Sequence, residues 1–435
     1  MAFELIETTL GSVCASQGGS VSTGPFGSQL HASDYSDVGT PVVMPVNLVG
    51  GRVSENGIAR VSNEHVTRLS RHRLSPGDIV FSRRGDVTRF ALVSERERGW
   101  LCGTGCLKIS LGDPLLATPE FIAAYLSSPD AKEWLVRHAV GATMPNLNTE
   151  ILSDVPITLP PLADQVEIGA FLAAIDLRID LLRQTNTTLE AIAQSLFKSW
   201  FVDFDPVRAK AEGSEPNGMD AETAALFPGD FEESELGLIP KGWTIRPFTS
   251  EFEFTMGQSP PGDSYNDSGN GTPFFQGCTD FGDVSPRRRV FTTQPTRFAR
   301  AGDVLMSVRA PVGDINVASS DCSIGRGLCS IRHRSGSTGL TVASIGAMRA
   351  RIETAAGEGA LFKSLSKKQL SELPVISFGD HLAHAGSSVL DPLVRSRLAN
   401  AKRIEVLTSL RDTLLPRLIS GRLRLPDVNS VIEEA

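Results

Sequence analysis

The stretch LNTEILSDVPITLP begins at Leu147, the stretch LSKKQLSELPVISF begins at Leu365, and both follow one template. Each has a leucine, four intervening residues, Leu-Ser, an acidic residue, an aliphatic residue and a proline. The two copies start 218 residues apart. Solenoid repeats are about 20–50 residues long, so a two-copy repeat at this much longer period indicates a duplicated domain.

The repeat extends upstream of this phrase. LSPGDIVFSRRGDVTRFALV, from Leu74, matches FARAGDVLMSVRAPVGDINVA, from Phe298, and GTGCLKI, from Gly103, matches GRGLCSI, from Gly325. Each half therefore predicts short strands separated by Gly, Pro and Asp turns, with a helix such as TPEFIAAYLSSPDAKEWLVRHA near its end. We predict an α+β fold of two similar α/β domains that form a pseudo-twofold internal repeat.

A long helix is predicted after each copy of the phrase, with apolar residues alternately three and four positions apart, as in a coiled coil. Such a helix of about 38 residues spans roughly 57 Å and needs a partner, so we expect the two helices to form an antiparallel coiled coil. Packing of each helix on its own domain is the alternative. Arg397, Asn400 and Arg411 occupy positions of the second seam and are expected to weaken it. The predicted seam residues are Leu172, Ile175, Ile179, Leu182, Asn186, Leu189 and Leu196 in the first helix, and Leu390, Leu393, Ile404, Leu407 and Leu414 in the second.

The composition is that of a globular protein, but the charge is unevenly distributed. A chain of 435 residues with 41% hydrophobic residues predicts two to four domains. The net charge is −8, and the segment 203–235, with ten acids and two basic residues, equals that excess by itself. The segments 60–100 and 287–334 carry net charges of +4 and +6. An acidic total therefore conceals two basic segments that a polyanion can contact.

No known catalytic motif is present. The sequence lacks a GxxxxGK[ST] phosphate loop, a GxGxxG after a strand, HExxH, GxSxG and the Asp- or Asn-Pro-Pro-aromatic run of amino-methyltransferases. The six cysteines are predicted to be buried, reduced thiols, and we predict no metal site. A zinc site formed by Cys102, Cys106, Cys322 and Cys329 is the alternative, although no pair has the usual spacing. Without a signal peptide or an apolar run of about 18 residues, the expected location is cytoplasmic.

Arginines in predicted turns are the candidates for chemistry. FSRRGDVTR, from Phe81, delivers Arg83 and Arg84 into a turn, and MSVRAPVGD, from Met306, places Arg309 at the position of Arg84. A guanidinium can hydrogen-bond guanine O6 and N7 together or contact a phosphate. For any single arginine, the alternative is a solvated surface residue. The predicted DNA-binding residues are Arg83, Arg84, Arg89, Arg287, Arg288, Arg289, Arg309 and Arg326.

The whole chain resembles the specificity subunit of type I restriction–modification systems. The segments that carry the resemblance are the two copies of the opening phrase, LPPLADQVEIGAFLAAIDLRIDLLRQ, LEAIAQSLFKSWFVDFDPV, FPGDFEESELGLIPKGW and LRDTLLPRLISGRL. The resemblance implies two target-recognition domains, each contacting one half of a split double-stranded DNA sequence, spaced by an antiparallel coiled coil. It also implies two copies of a methyltransferase subunit and a translocase–nuclease subunit as partners. S-adenosylmethionine, ATP and Mg²⁺ would bind those partners, leaving this chain without a cofactor or catalytic residues.

The predicted domains follow from the repeat and the resemblance. They are target-recognition domain 1 at 1–158, spacer helix 1 at 159–203, an acidic linker at 204–240, target-recognition domain 2 at 241–376, spacer helix 2 at 377–425 and a C-terminal tail at 426–435. We interpret the chain as a non-catalytic DNA-recognition subunit. Two alternatives remain open: a DNA methyltransferase or nuclease with divergent motifs, and a coiled-coil adaptor that does not contact DNA.

Overall fold

The computed structural model of the chain describes residues 5–141, 143–357 and 364–425. The predicted tail at 426–435 and the first four residues of the predicted first domain lie outside these ranges. The chain divides into two compact units, Met1–Ile179 with Val406–Ala435, and Asp180–Glu405. Each unit therefore contains one copy of the repeat and a part of each long helix.

The first unit contains several small sheets, short helices and the start of a long helix. Its strands and helices in chain order are β1 (Ile6–Thr9), α1 (Leu10–Ser16), β2 (Gly18–Thr23), β3 (Thr40–Val43), β4 (Leu48–Val49), β5 (Arg52–Val53), β6 (Ala59–Val61), α2 (Asn63–Arg68), β7 (Ile79–Ser82), β8 (Phe90–Leu92), β9 (Leu101–Cys102), β10 (Cys106–Gly112), α3 (Pro119–Ser127), α4 (Pro129–His138), α5 (Thr149–Ser153), β11 (Pro156–Leu159) and α6 (Leu162–Phe201), which continues into the second unit.

The second unit has the same kinds of element and ends in another long helix. Its elements in chain order are α7 (Asp205–Ala211), α8 (Ala221–Ala225), β12 (Phe231–Ser234), β13 (Gly237–Pro240), β14 (Thr244–Pro247), α9 (Phe248–Glu251), β15 (Phe252–Met256), β16 (Tyr265–Asn266), β17 (Thr272–Phe275), β18 (Val290–Thr292), β19 (Phe298–Ala299), β20 (Val304–Ser307), β21 (Ile315–Val317), β22 (Cys322–Ile324), β23 (Leu328–His333), α10 (Thr338–Ala347), α11 (Arg349–Ala355), α12 (Lys367–Glu372), β24 (Pro374–Ser377) and α13 (Asp380–Ile419), whose C-terminal part belongs to the first unit.

The two units share a sheet topology. The order β2-β10-β7-β8 in the first unit corresponds to β15-β23-β20-β21 in the second. The order β6-β3-β9 corresponds to β18-β17-β22, and in each case the last pair of strands is parallel. The pair β1-β11 corresponds to β14-β24. This agreement confirms the predicted α+β fold with an internal duplication.

The repeated phrase forms a capped helical turn followed by an edge strand. Asn148 accepts a hydrogen bond from the Ile151 amide and caps α5, and Ser366, 218 residues later, caps α12 by accepting one from the Gln369 amide. The prolines of the template begin β11 and β24, where a missing amide is tolerated. The leucines of the template are buried in the cores, and they are Leu147, Leu152, Leu365 and Leu370. The phrase occurs twice because each domain closes its core with the same capped turn and strand.

The segment predicted as a linker, 204–240, packs on the second unit. It forms α7, α8 and the hairpin β12-β13. Phe227 and Ile239 are buried together with Trp200 and Phe201 of α6 and with Trp243. The segment therefore contributes side chains to a hydrophobic cluster at the end of α6, in spite of its acidic composition.

The long helices are antiparallel within each unit. In the first unit, Leu172 of α6 belongs to the same buried cluster as Leu414 and Leu418 of α13. In the second unit, Trp200 at the end of α6 is clustered with Leu382 near the start of α13. The predicted seam residues of α6 are buried except Leu189 and Leu196, which are half-buried. On α13, Leu390 and Leu414 are buried, whereas Leu393, Ile404 and Leu407 are half-buried.

Candidate nucleic-acid interface

The turn after β7 and the turn after β20 expose equivalent arginines. The Ser82 hydroxyl donates to the Arg84 carbonyl at 3.0 Å, and the Ser307 hydroxyl donates to the Arg309 carbonyl at 2.6 Å. Both arginine side chains are exposed. The backbone of Arg84 forms an isolated antiparallel β-bridge with the backbone of Asn146, and the backbone of Arg309 forms one with that of Ser364. Because the backbone is fixed at both turns, each turn presents its guanidinium from a defined position.

The turns that carry Arg84 and Arg309 are called the arginine turns. Backbone hydrogen bonds join each of them to a Gly-x-Gly loop, 103–105 in the first unit and 325–327 in the second, and to the repeated phrase. In the first unit the Arg83 amide donates to the Gly105 carbonyl, and the Leu147 amide donates to the Arg83 carbonyl, both at 2.9 Å. In the second unit the Val308 amide donates to the Gly327 carbonyl, and the Leu365 amide donates to the Val308 carbonyl, also at 2.9 Å. The structure thus places Arg309 beside the loop that carries Arg326, and Arg83 and Arg84 beside the loop 103–105.

The glycines of these loops are required by close backbone approaches. The Gly103 amide donates to the Val43 carbonyl at 2.9 Å, and the Gly325 amide donates to the Phe275 carbonyl at 2.8 Å. A Cβ on Gly103 would lie 2.6 Å from the Val43 carbonyl oxygen and 2.3 Å from the Met44 sulfur. One on Gly325 would lie 3.0 Å from Cα and 2.8 Å from Oε1 of Gln276. Met44 and Gln276 therefore lie against the loops.

The remaining predicted arginines differ in their exposure and in the partners of their guanidinium groups. Arg83 is half-buried, and its Nε has no hydrogen-bond partner among the described residues. Arg89 is exposed and pairs with Asp86 at 3.2 Å. A hydrogen bond from Thr88, together with Arg89, lowers the pKa of the Asp86 carboxyl. That carboxylate stays ionised at neutral pH and offsets the charge of Arg89.

Arg287, Arg288 and Arg289 are exposed and follow the turn 278–280. Arg288 donates to the Ser320 hydroxyl at 3.1 Å, and Arg289 donates to Asp280 at 2.9 Å. The other carboxylate oxygen of Asp280 accepts the Gln276 amide at 2.7 Å. Arg289 therefore supports the backbone at Gln276, while the side chain of Arg287 remains exposed.

Sequence analysis missed Met44 and Gln276, which face the Gly-x-Gly loops. The parallel pairing of β3 with β9, and of β17 with β22, brings these residues to the loops across about 50 or 60 residues of chain. No local pattern predicts such a pairing, because the strands are short and their partners are distant in sequence. The shared Thr-Pro at the start of β3 and β17 is the signal that aligns the two copies.

The polar seam residues of α13 each have a polar partner on α6. In the second unit, the Asn400 amide donates to Oδ1 of Asn186 at 3.0 Å, and Arg397 pairs with Glu190 at 2.8 Å. In the first unit, Arg411 pairs with Asp176 at 2.8 Å. Sequence analysis interpreted the α13 residues as weakening the seam because it did not identify these partners.

The pKa values of the two seam arginines are shifted in opposite net directions, although burial lowers both. Burial lowers the pKa of Arg397, and Glu190 only partly offsets this effect. It also lowers the pKa of Arg411, but hydrogen bonds to Asp176 and Asp412 outweigh it, so the net pKa is raised. Both guanidiniums stay charged at neutral pH, since arginine in proteins is effectively always protonated. The seam therefore contains two charged pairs and an asparagine pair.

The cysteines are buried except Cys278, which is half-buried. Burial raises the pKa of the Cys102, Cys322 and Cys329 thiols to about 12 and keeps them protonated. Residues 5–141, 143–357 and 364–425 contain no cluster of three or more His, Cys, Asp or Glu side chains that could bind a metal. Over the same ranges, no helix combines the length and apolarity that a membrane crossing requires.

These features define a class of protein, one with a duplicated α+β domain and two long helices. Residues 37–191 match the family model of the type I restriction modification DNA specificity domain. A Methanocaldococcus jannaschii chain described as a candidate MjaX type I restriction enzyme specificity subunit is 25% identical over 401 residues, covering 89% of this chain and 88% of that protein. The HindI type I restriction enzyme specificity subunit of Haemophilus influenzae is 24% identical over 407 residues, covering 80% of this chain and 87% of that protein.

A solved structure supports the same fold. The type I restriction–modification S subunit from M. genitalium has a TM-score of 0.59 and 17% sequence identity, and the match covers 96% of both chains. Along most of its length the chain is therefore similar to type I restriction–modification specificity subunits.

Proposed function

We propose that the chain is the DNA-recognition subunit of a type I restriction–modification complex, with each unit contacting one half of a split duplex sequence. The observation that carries the proposal is the arginine turn, which occurs twice with the same backbone hydrogen bonds and an exposed guanidinium each time. Phosphate contacts would supply most of the affinity and its salt dependence, and base contacts would supply specificity.

The proposed partners are two methyltransferase subunits, docked on the long helices, and a translocase–nuclease subunit. S-adenosylmethionine, ATP and Mg²⁺ would act on those subunits, and this chain would be non-catalytic. The basis is the similarity to type I restriction enzyme specificity subunits together with the absence of a recognised catalytic motif in the sequence. A chain of this kind would determine where the complex acts, while its partners carry out the chemistry.

The test is to purify the chain with and without its methyltransferase subunits. The complex should bind duplex DNA in a salt-sensitive manner and methylate one bipartite sequence. Micromolar binding of S-adenosylmethionine by the isolated chain would instead indicate a methyltransferase with a divergent site. Assembly of the complex without salt-sensitive binding to any duplex would indicate a coiled-coil adaptor.

A further inference from the structure

The loops of the two units share a backbone framework but present different side chains. The Gly24 amide donates to the Cys106 carbonyl and the Gly257 amide donates to the Leu328 carbonyl, both at 2.9 Å. Together with the bonds from Gly103 to Val43 and from Gly325 to Phe275, these contacts make the surrounding positions equivalent. The equivalent pairs are Phe26 and Ser259, Met44 and Gln276, Thr104 and Arg326, and Arg84 and Arg309.

The buried residues next to the loops keep their apolar character in both units, whereas three of the four equivalent pairs differ in chemical class between the units. Val43 and Phe275 are both buried apolar residues, as are Cys102 and Ile324. The glycines on both sides of Thr104 and of Arg326 are retained. At the Met44 position, by contrast, a thioether is replaced by an amide.

In the second unit, Ser259, Gln276 and Arg326 form a hydrogen-bonded group. The Ser259 hydroxyl lies 3.0 Å from Nε2 and 3.3 Å from Oε1 of Gln276. The Arg326 amide donates to the same hydroxyl at 3.4 Å. Gln276 and Arg326 are exposed, and their backbones are held by Asp280 and by the Gly325 hydrogen bond. The exposed side chains of Gln276 and Arg326 thus extend from backbone segments that hydrogen bonds hold in place.

In the first unit the same surface is apolar. Phe26 is 53% exposed, and Met44 is half-buried and packs against the buried cluster that contains Val42 and Leu101. The side chain of Thr104 is engaged in a hydrogen bond with Tyr35. This group offers methyl and aromatic contacts in place of the donors and acceptors of the second unit.

We propose that Ser259, Gln276 and Arg326 determine the bases of the half-site contacted by the second unit, and that Phe26, Met44 and Thr104 do so for the first. This inference rests on the proposed DNA-recognition function. Glutamine pairs with adenine N6 and N7, and arginine with guanine O6 and N7, so the second group selects purines. The first group suits a thymine methyl, which is recognised by apolar contact. The shared Arg84 and Arg309 then supply contacts common to both half-sites.

The experiment introduces two residue types of the first group, those of Met44 and Thr104, at the equivalent positions of the second unit within the complete complex. The double variant Gln276→Met with Arg326→Thr is expressed with the methyltransferase subunits in a host without other DNA methylation, and methylated sites are mapped by sequencing. One or two positions of the second half-site should lose discrimination by about 5- to 150-fold, while the first half-site stays unchanged. Arg246→Ala, an exposed arginine on β14 of the same unit, should leave both half-sites unchanged.

The outcomes separate this inference from the function on which it rests. If the wild-type complex marks no bipartite sequence, the proposed function fails. If the wild-type complex methylates one bipartite sequence and the double variant methylates the same sequence at the same rate, the roles assigned to Gln276 and Arg326 are overturned and the proposed function stands. If the double variant marks nothing, Gln276→Glu decides, since it keeps the size of the side chain and favours cytosine N4 as a donor. A changed base at one position then supports the inference, and an unchanged second half-site overturns it.

Discussion

Arg84 and Arg309 occupy the same position in two turns that are fixed by the same hydrogen bonds, and both side chains extend into solvent. Arg89 lies in the same basic stretch as Arg84, but its guanidinium is already paired with Asp86. Net charge along the sequence does not distinguish these arginines, because it counts both equally. The distinction comes from the partner of each guanidinium in the folded chain.

Replacing Arg84 or Arg309 by Ala should weaken specific DNA binding by the complex. A lost base contact should cost about 1–3 kcal/mol and relax one position of one half-site. A lost phosphate contact should instead weaken binding equally on all sequences and reduce the salt slope by about one. Titrations of specific and unrelated duplexes at several salt concentrations separate the two cases. Arg89→Ala is the control and should change both the affinity and the salt slope less. If Arg84→Ala behaves like this control, Arg84 does not contact the DNA.

The pairing of α6 with α13 depends on polar contacts as well as on the apolar stripe. Arg397 is 8% exposed and pairs with Glu190, which is 44% exposed. A buried charge that loses its partner destabilises a fold, whereas replacing such a charge by an apolar side chain of similar volume is often neutral. The two members of this pair are therefore expected to differ in the effect of substitution.

Glu190→Ala should lower the free energy of unfolding by about 1–2 kcal/mol, a value reduced for the solvent exposure of Glu190. Arg397→Met should be neutral or stabilising, because it removes the buried charge and keeps the volume. Thermal midpoints of the purified chain measure both, with the exposed Glu405→Ala on α13 as the matched control. Equal midpoints for Glu190→Ala and Glu405→Ala, or a larger loss for Arg397→Met than for Glu190→Ala, would contradict this account of the seam.

The elements themselves were predictable to the extent that their signals are local. Heptad spacing predicted helices within 159–203 and 377–425, and the helices extend over Leu162–Phe201 and Asp380–Ile419. The repeat predicted that the units are alike, because each copy carries its own cap, helix and strand. Contacts that join distant segments were not predictable. The partner of Asn400 depends on the register of two helices, and the position of Gln276 depends on a parallel pairing of short strands.

Residues related by the 218-residue offset are similar at the ends of α6 and α13 but differ where Asn186 meets Asn400. Leu414, Leu415 and Leu418, which pack in the first unit, correspond at the 218-residue offset to Leu196, Phe197 and Trp200, which pack in the second. The ends are thus equivalent in chemistry. At the centre, Asn186 faces Asn400, whose counterpart in the first half is Leu182. The polar pairs therefore match one helix to the other rather than to a copy of itself.

A truncated chain of residues 1–204 tests this difference, because its α6 lacks α13 and leaves large apolar side chains exposed. Burying each such side chain is worth about 1.5–3 kcal/mol, so we expect a second copy to pair with it in antiparallel fashion. In that dimer Asn186 would face Leu182 of the other copy, and Asn186→Leu should strengthen association. In the full-length chain the same substitution should cost about 1–3 kcal/mol, because it leaves the buried amide of Asn400 without its acceptor. Sedimentation of the truncated chain and thermal midpoints of the full chain measure the two effects. A dimer weakened by Asn186→Leu would mean that two Asn186 side chains pair across the axis and that the seam does not distinguish the halves.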